Sequence, residues 1–383
     1  MKVAIPREIS ADERRVAATP QTVEKMVQAG MTVSVESKAG QGASIADSLY
    51  EQAGAQVVPH VETLLGEADV VLKVREPVQN DSTGKHELDM MKEGAALIAS
   101  WQPVNLPDAV RKMTQRHITS FSLFYLPRIA RAQSMDVLSS MSTLAGYKSV
   151  LLAANAFGQV FPMLMTAAGT LKPAVTLIIG AGVAGLQAIA TAKRLGAVVQ
   201  VFDVRPVVKE QVESLGAEFI ELDVVQEQAE DVGGYAKEQS AKSHQKEVEL
   251  IGQHVKAADI VITTALIPGK PAPVLVTEDM VRGMKAGSVI VDLATEQGGN
   301  CELSEPGKDV VKHNVILMGP LNLPSTMPVD ASLMYANNIS KFLFHLCDNH
   351  RIAVNLEDEI TRGTLITHKG EILHQGVKEA SGR

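Results

Sequence analysis

The segment that most constrains the fold runs from Val175 to Gly196. An apolar strand, Val175-Thr-Leu-Ile-Ile179, enters Gly180-Ala-Gly182-Val-Ala-Gly185 and then a helical pattern, Ala184–Leu195, closed by Gly196. A strand that turns into a helix through a tight glycine run opens a βαβ unit, and such units build parallel sheets covered by helices. The same turn carries chemistry. Gly180 permits the tight turn, Gly182 lets the backbone approach a pyrophosphate, and Gly185 lets the helix pack closely. The first helical turn, with Val183 and Ala184, then presents backbone N–H groups and a partial positive charge to the phosphates. The next strand, Val198–Asp203, ends 18 positions past Gly185. A carboxylate at that distance accepts hydrogen bonds from the adenosine ribose and repels a 2′-phosphate, which favours NAD(H) over NADP(H). Arg205, just beyond Val204, pulls the other way, since arginine can hold a 2′-phosphate. The competing account is a packing turn of an α/β fold with no ligand.

The βα rhythm extends over almost the whole chain. In the first third, strands are expected at Val3–Ile5, Thr32–Val35, Val70–Val74, Ala96–Ala99 and Ile118–Phe121, with helices Thr22–Ala29 and Pro107–Gln115 between them. Beyond Asp203 come helix Val208–Leu215, a short strand near Glu218–Leu222, strand Asp259–Thr264, helix Glu278–Met284, and strands Ser288–Leu293 and Val315–Met318. The tail reads as a helix, Ser332–Leu346, and a hairpin, Thr364–Thr367 with Glu371–Leu373 around Lys369-Gly370. It is expected to pack back on the first domain, because chain termini often lie close together. The fold class is therefore α/β, with two doubly wound Rossmann-like domains and mainly parallel sheets. The nucleotide-type domain, 138–327, is inserted into a discontinuous domain of 1–137 plus 328–383.

Two stretches break the pattern. Between Asp223 and Glu247 the sequence turns polar and charged around Gly233-Gly234-Tyr235, which reads either as a functional lid or as a disordered insertion, helical again from about Ala241. From Ser149 to Leu171 there is no charged residue, a length able to span a bilayer. Asn155, Gln159, Thr166, two glycines and Pro162 argue instead for a buried helix, broken near Pro162, that joins the two domains.

Composition narrows the class of partner. Lys plus Arg number 36 and Asp plus Glu 44, a formal net charge of −8, so there is no electrostatic footprint for nucleic acid or anionic lipid. The two cysteines, Cys301 and Cys347, stand far apart without metal-ligand spacing, which points away from a disulfide framework or zinc site and towards a reducing compartment. No signal peptide is visible at the N-terminus. None of the ten histidines sits at an expected strand end with a carboxylate partner nearby in sequence, as a dehydrogenase base would.

A second candidate site lies at the expected domain junction. Pro127-Arg128-Ile-Ala-Arg131-Ala-Gln133-Ser134-Met-Asp136-Val-Leu-Ser139 crowds Arg, Gln, Asp and Ser ahead of an apolar helix. An arginine and a glutamine there could hold a carboxamide and ribose; alternatively Ser134 or Asp136 simply caps the helix. Thr264-Ala265-Leu266 falls at a later strand end, near where a nicotinamide would lie, and Leu266 is read either as a ring contact or as an ordinary core residue. Lys270 reads as a solvent-facing lysine.

These residues resemble a known family. Pro127–Asp136, Gly180–Gly185, Gly233-Gly-Tyr235-Ala-Lys, Thr263-Thr-Ala-Leu-Ile-Pro-Gly-Lys-Pro-Ala-Pro273 and Gly298-Gly-Asn300 are similar to the NAD(H)-binding component of proton-translocating nicotinamide nucleotide transhydrogenase. The resemblance spans nearly the whole chain. It implies direct, Re/Si-specific hydride transfer between NAD(H) here and NADP(H) on a partner component, with a third, membrane-spanning component conducting protons. It also implies a homodimer, a cytoplasmic position on the inner face of the membrane through those partners, and membrane spans on separate polypeptides. By resemblance, Arg128 and Asp136 position the carboxamide, Gln133 contacts the second nucleotide, and Ser139 completes that loop. Ile129, Ala130, Ser134 and Met135 line the nucleotide beside them, Gly234 and Tyr235 belong to a mobile lid, and no metal is implied.

Alanine dehydrogenase shares the fold, and its patterns resemble Ile5-Pro6-Arg7-Glu8, Arg15-Val-Ala and Lys73-Val-Arg-Glu-Pro77. Arg15 and Lys73 match its substrate clamp. The position of its acid–base histidine falls in Ala99-Ser100-Trp101-Gln102, which has none, and Glu296 replaces an aspartate of its Asp-Gln-Gly-Gly pattern. Transfer between two nicotinamides needs no such base, only alignment. An amino-acid oxidoreductase and a non-catalytic NAD-binding protein remain the alternatives.

Overall fold

The computed structural model describes residues 1–221, 241–267 and 270–381. The chain divides into two compact units, 1–141 with 324–383, and 142–323. Helix Val137–Ala156 begins in the first and continues into the second.

The first unit is built on an eight-stranded sheet. Its order is Glu371–Ile372, Leu365–His368, Thr119–Ser122, Ala96–Ala99, Val70–Leu72, Lys2–Ile5, Thr32–Glu36 and Gln56–Val58. The last six are parallel, and Leu365–His368 pairs antiparallel with Thr119–Ser122, so the C-terminal tail completes the sheet of the N-terminal segment. Alternate side chains of a strand point to opposite faces. Accordingly Val3 and Ile5 enter one apolar cluster with Val70, Leu72 and Ile98, while Ala4, Val71 and Leu97 enter another. A sheet covered on both faces explains why these strands read as continuous apolar runs. Helix Pro107–Gln115 starts at a proline whose missing N–H costs nothing there, and buries Val110 and Met113. Each such burial contributes about 1.5–3 kcal/mol.

The second unit holds seven strands in the order Glu218–Ile220, Val198–Phe202, Val175–Ile179, Ile260–Thr263, Val289–Asp292, Val315–Met318 and Asp309–Lys312. All are parallel except Asp309–Lys312, an antiparallel edge strand. Both faces are again covered: Ile178, Ile262 and Val291 face one cluster, and Leu177, Ile179, Val261 and Ile290 the other. Helix Ala241–Ala257 matches the expected return to helix, whereas the rest of the polar stretch, Gly234 and Tyr235 included, lies outside the described residues.

One expectation is corrected. The uncharged stretch is not a helix broken near Pro162: the helix ends at Ala156, and Leu164–Thr166 and Gly169–Leu171 form an exposed antiparallel hairpin. Among the described residues no helix is long and apolar enough to cross a membrane.

Candidate functional site

The strand order of the second unit creates a switch point. From Val175–Ile179 the chain steps outward through Val198–Phe202 to Glu218–Ile220, then crosses to Ile260–Thr263 on the other side. Ligands of doubly wound sheets bind outside the carboxyl ends of the strands at such a point. Here those ends are Gly180 and Thr264. Gly180 has φ +98°, its N–H donates to Phe202 O at 2.8 Å, and its carbonyl accepts from Thr264 Oγ1 at 3.0 Å.

The three glycines answer different needs. A Cβ on Gly180 would stand 2.6 Å from Thr264 Oγ1, and one on Gly185 would stand 1.8 Å from Gly180 O. Packing of the protein on itself therefore accounts for both. Gly182 is otherwise: an added Cβ would meet no heavy atom within 4 Å. It begins helix Val183–Arg194 with no side-chain cap, and Val183 beside it is 37% exposed. A valine left exposed at an uncapped helix start, next to a glycine that packing does not require, leaves room for a bulky anion whose oxygens take the first-turn N–H groups. Ala184 follows in the same turn.

Asp203 lies directly past the neighbouring strand, and its side chain is almost wholly buried. One carboxylate oxygen accepts from Ala181 N at 2.7 Å and Arg205 Nη2 at 2.8 Å; the other accepts from Arg205 N and Nε, both at 2.9 Å. Asp203 and Arg205, which read as opposed signals, are thus one bidentate ion pair across Val204, aimed at the glycine turn. The third strand end carries Leu266, half-buried, two residues after Thr264; Lys270 is exposed.

The junction segment belongs to the first unit. Ala130–Met135 is a 3₁₀ turn whose Ala132 and Met135 are buried in the unit's core, while Arg128, Ala130, Gln133 and Ser134 are exposed and Ile129 is half-buried. Met135, expected to line the nucleotide, thus turns its side chain into the core. The turn is anchored from outside: Asn338 Nδ2 donates to Ser134 O at 3.0 Å, and Arg131 pairs with Asp358 at 3.2 Å. Asp136 caps helix Val137–Ala156, accepting from Ser139 N at 2.9 Å and Ser139 Oγ at 2.5 Å. The capping alternative therefore falls to Asp136, not Ser134.

The first unit's own switch point is filled with buried charge. Lys73 lies between Glu87 (2.9 Å) and Glu8 (3.3 Å), and Arg15 grips Glu13 bidentately at 2.8 and 2.6 Å. Burial pushes the Glu8 carboxyl up to about 7, Lys73 opposing the rise and Glu87 adding to it. Trp101 is buried and donates to Phe121 O at 3.3 Å. Glu296 is exposed and accepts from Asn322 N at 2.8 Å.

Motif reading did not single out the roles of Asp292 and Asn300. Both are fully buried and bind the loops at the strand ends together. The available signal was the pair Gly298-Gly299, both at positive φ, just ahead of Asn300. Among the described residues no group of three or more His, Cys, Asp or Glu is disposed to hold a metal ion.

Comparison with known proteins fits this geometry. The N-terminal domain of Alanine dehydrogenase/PNT matches residues 4–145 and its C-terminal domain residues 149–375. A chain of NAD(P) transhydrogenase subunit alpha from Rhodospirillum rubrum is 51% identical over 98% of both chains. Alanine dehydrogenase 2 of Staphylococcus aureus is 33% identical over 99% of this chain and 96% of its own. The crystal structure of transhydrogenase from Sinorhizobium meliloti superposes with a TM-score of 0.84 at 42% identity, covering 98% of this chain and 99% of the other. With both domain models matched end to end, and a glycine turn built at the switch point of the second, this chain belongs to the alanine dehydrogenase/PNT family.

Proposed function

We propose that this chain is the NAD(H)-binding component of a transhydrogenase and exchanges hydride with NADP(H) held on a partner component. One observation carries the reading: Gly182 stands at an uncapped helix start on the switch point, where packing asks for no glycine and a pyrophosphate does. The resemblance to transhydrogenase subunits, nearer than that to alanine dehydrogenase, supports it.

In this reading the first-turn N–H groups of Val183 and Ala184 receive the pyrophosphate, and Asp203 the adenosine ribose. Arg205 then shares Asp203 with the ribose or swings off it. The reduced nicotinamide gives its C4 hydride, two electrons with one proton, to the oxidised ring of the second nucleotide; no O–H or N–H bond breaks, so no base is needed. What the chain supplies is alignment, which brings the largest gain when two rings must meet at near-attack distance. Arg128 and Asp136 would position the carboxamide, Gln133 would face the incoming nucleotide, and Ser139 would hold Asp136. Gly234 and Tyr235 complete the proposed lid.

The partners follow from the same reading. The exposed hairpin suits a second copy of this chain, since isolated two-stranded hairpins are marginal and exposed apolar patches mark interfaces. The NADP(H)-binding component and a membrane-spanning, proton-conducting component would hold the chain at the cytoplasmic face of the membrane. We place the domain boundaries of the inserted nucleotide domain near 138 and 327.

Amino-acid oxidation is the second reading, kept by Arg15 and Lys73. Here both cations are already paired with carboxylates, and a buried tryptophan stands where a base would be wanted.

The deciding experiment is hydride transfer from NADPH to an NAD analogue by the partner NADP(H)-binding component, with and without this chain. A rate that appears only with the chain, and falls in Asp203→Ala together with NADH affinity, is expected. No transfer while NADH still binds, with alanine-dependent NAD reduction instead, would replace this reading by the second.

A further inference from the structure

The geometry points to Asn300 as a positioning residue for hydride transfer, acting through the strand-end segment that carries Leu266. The inference rests on the reading that the second unit holds NAD(H).

Asn300 is fully buried, and its amide is spent on backbone. Oδ1 accepts from Ala265 N at 3.0 Å, and Nδ2 donates to Ala265 O and to Pro273 O, both at 2.8 Å. Both amide donors are used, and an asparagine has no others. With Ala265 the side chain forms the paired N–H and C=O exchange that a neighbouring strand would make. Its own main chain extends the grip: the carbonyl accepts from Leu275 N at 2.8 Å and Val276 N at 3.0 Å. One residue therefore fixes Ala265 on one side and Pro273 to Val276 on the other.

Asn300 is itself held. Its N–H donates to Asp292 Oδ2 at 2.8 Å, and the same buried carboxylate accepts from Cys301 N, Ala294 N and Thr263 Oγ1. Asp292 ends one strand and Thr263 its parallel neighbour, so the grip is referred to the sheet rather than to a loop. Gly299 admits this approach: at φ +84°, a Cβ there would stand 2.9 Å from Asp292 Oδ2. Carboxylate, glycine and asparagine form one device.

That device ends at Leu266, the residue after Ala265. Thr264, one step earlier, is hydrogen-bonded to the glycine turn through Gly180 O. The strand end is thus tied to the phosphate side by Thr264 and set in place on the far side by Asn300. The groups proposed to hold the adenosine half, Gly182, Val183 and Asp203, make no contact with Asn300. Loss of Asn300 should therefore leave nucleotide binding and disturb the alignment of the reacting end, where a displacement of about 1 Å can cost about a hundredfold in rate.

No near relative of the side chain does the same work. Aspartate keeps the acceptor for Ala265 N but turns an acceptor towards the carbonyls of Ala265 and Pro273, beside Asp292. Serine is too short to span both.

The test uses the full chain with its NADP(H)-binding partner and compares wild type, Asn300→Ser, Asn300→Asp and Leu266→Ala. Three quantities are read: NADH affinity by fluorescence titration, the single-turnover rate of hydride transfer, and amide hydrogen exchange over 264–276. The expected result is a rate lowered about tenfold or more in all three variants, with NADH affinity within about threefold, and faster exchange at Ala265 in the two Asn300 variants. A wild-type rate in either Asn300 variant overturns the proposal. So does a parallel loss of rate and affinity, or Ala265 exchange unchanged from wild type. Should both Asn300 variants fail to fold, Leu266→Ala decides, and a wild-type rate there also overturns it. Failure of the parent reading looks different, because the wild-type chain would then bind NADH and transfer nothing.

Discussion

At Gly182 a methyl group would meet open space, and at Gly185 it would stand 1.8 Å from the carbonyl oxygen of Gly180. Two alanine variants should therefore separate binding from folding. Gly182→Ala is expected to cost at most about 1 kcal/mol of stability, as the loss of a glycine N-cap, yet to weaken NADH binding at least about tenfold by placing carbon where the pyrophosphate approaches. Gly185→Ala should lower the melting temperature sharply, because either helix Val183–Arg194 or the turn must move. Thermal melts and NADH titrations of both variants check this, and equal NADH affinity in Gly182→Ala and wild type would remove the phosphate assignment. Single residues were readable in sequence to differing depth. The spacing from Gly185 located Asp203, but it set Arg205 against it as a rival signal, because sequence cannot show a guanidinium folded back on its neighbour's carboxylate. The charge around Lys73 was readable only as a matched clamp. Its stability effect depends on burial: the folded chain holds the Glu8 proton more tightly than an ordinary carboxyl near 4.5 does, pushed up to about 7. A group bound more tightly in the folded state contributes stability below its unfolded pKa and loses it as pH rises through the folded one. Glu8→Gln mimics the protonated form, so its melting temperature relative to wild type should climb between pH 5 and 8, by the equivalent of about 2 kcal/mol. A pH-independent difference would place the proton elsewhere in the cluster.

Elements were readable where they were long and periodic. Strands Val175–Ile179, Ala96–Ala99 and Val315–Met318 and helix Pro107–Gln115 stand where their patterns put them, since each has either two buried faces or one apolar stripe. The elements passed over are short or lack a face. Gln56–Val58 has three residues at a sheet edge, helix Asp47–Gln52 fewer than two turns, and the edge strand Asp309–Lys312 buries none of its side chains fully. The stretch Ser149–Leu171 misled for the opposite reason. Helix Val137–Ala156 is apolar with little polar stripe, and the hairpin after it is apolar though exposed, so hydrophobicity carried no period to tell them apart. The 3₁₀ turn Ala130–Met135 is the element on which function can be separated from structure. Its core contacts come from Ala132 and Met135, and its anchors from Asn338 and Asp358, so Gln133 is free of any structural duty visible in its exposure. Gln133→Asn should accordingly leave melting temperature and NADH affinity near wild type while slowing hydride transfer about tenfold, through the shift of one methylene in a contact with the second nucleotide. Stopped-flow transfer beside an NADH titration checks it; a parallel loss of affinity would make Gln133 an ordinary binding residue.

On the scale of the molecule, the alternation of strand and helix was enough to infer two doubly wound sheets, because parallel strands leave few other ways to cover both faces. What the alternation could not convey is which surface waits for another chain. That surface is marked by misfit rather than by pattern. The hairpin Leu164–Thr166 with Gly169–Leu171 has no further strand on either side, and it carries Met163 at 57%, Met165 at 79% and Leu171 at 51% exposure. Apolar side chains on a two-stranded ribbon gain almost nothing in water, and the ribbon alone is marginal. In a homodimer the same side chains would be covered, and the ribbon would be held by its partner. Met165→Lys with Leu171→Lys distinguishes the cases. In a monomer both lysines would be solvated, at a cost within about 0.5 kcal/mol; in a dimer they would bring unpaired charge into the interface, a cost of several kcal/mol. Light scattering should therefore find two chains per particle for wild type and one for the double variant, with NADH binding retained because the glycine turn and Asp203 are untouched. A wild-type particle of one chain, or a double variant that still pairs, would assign the exposed ribbon to some contact other than a second copy of this chain.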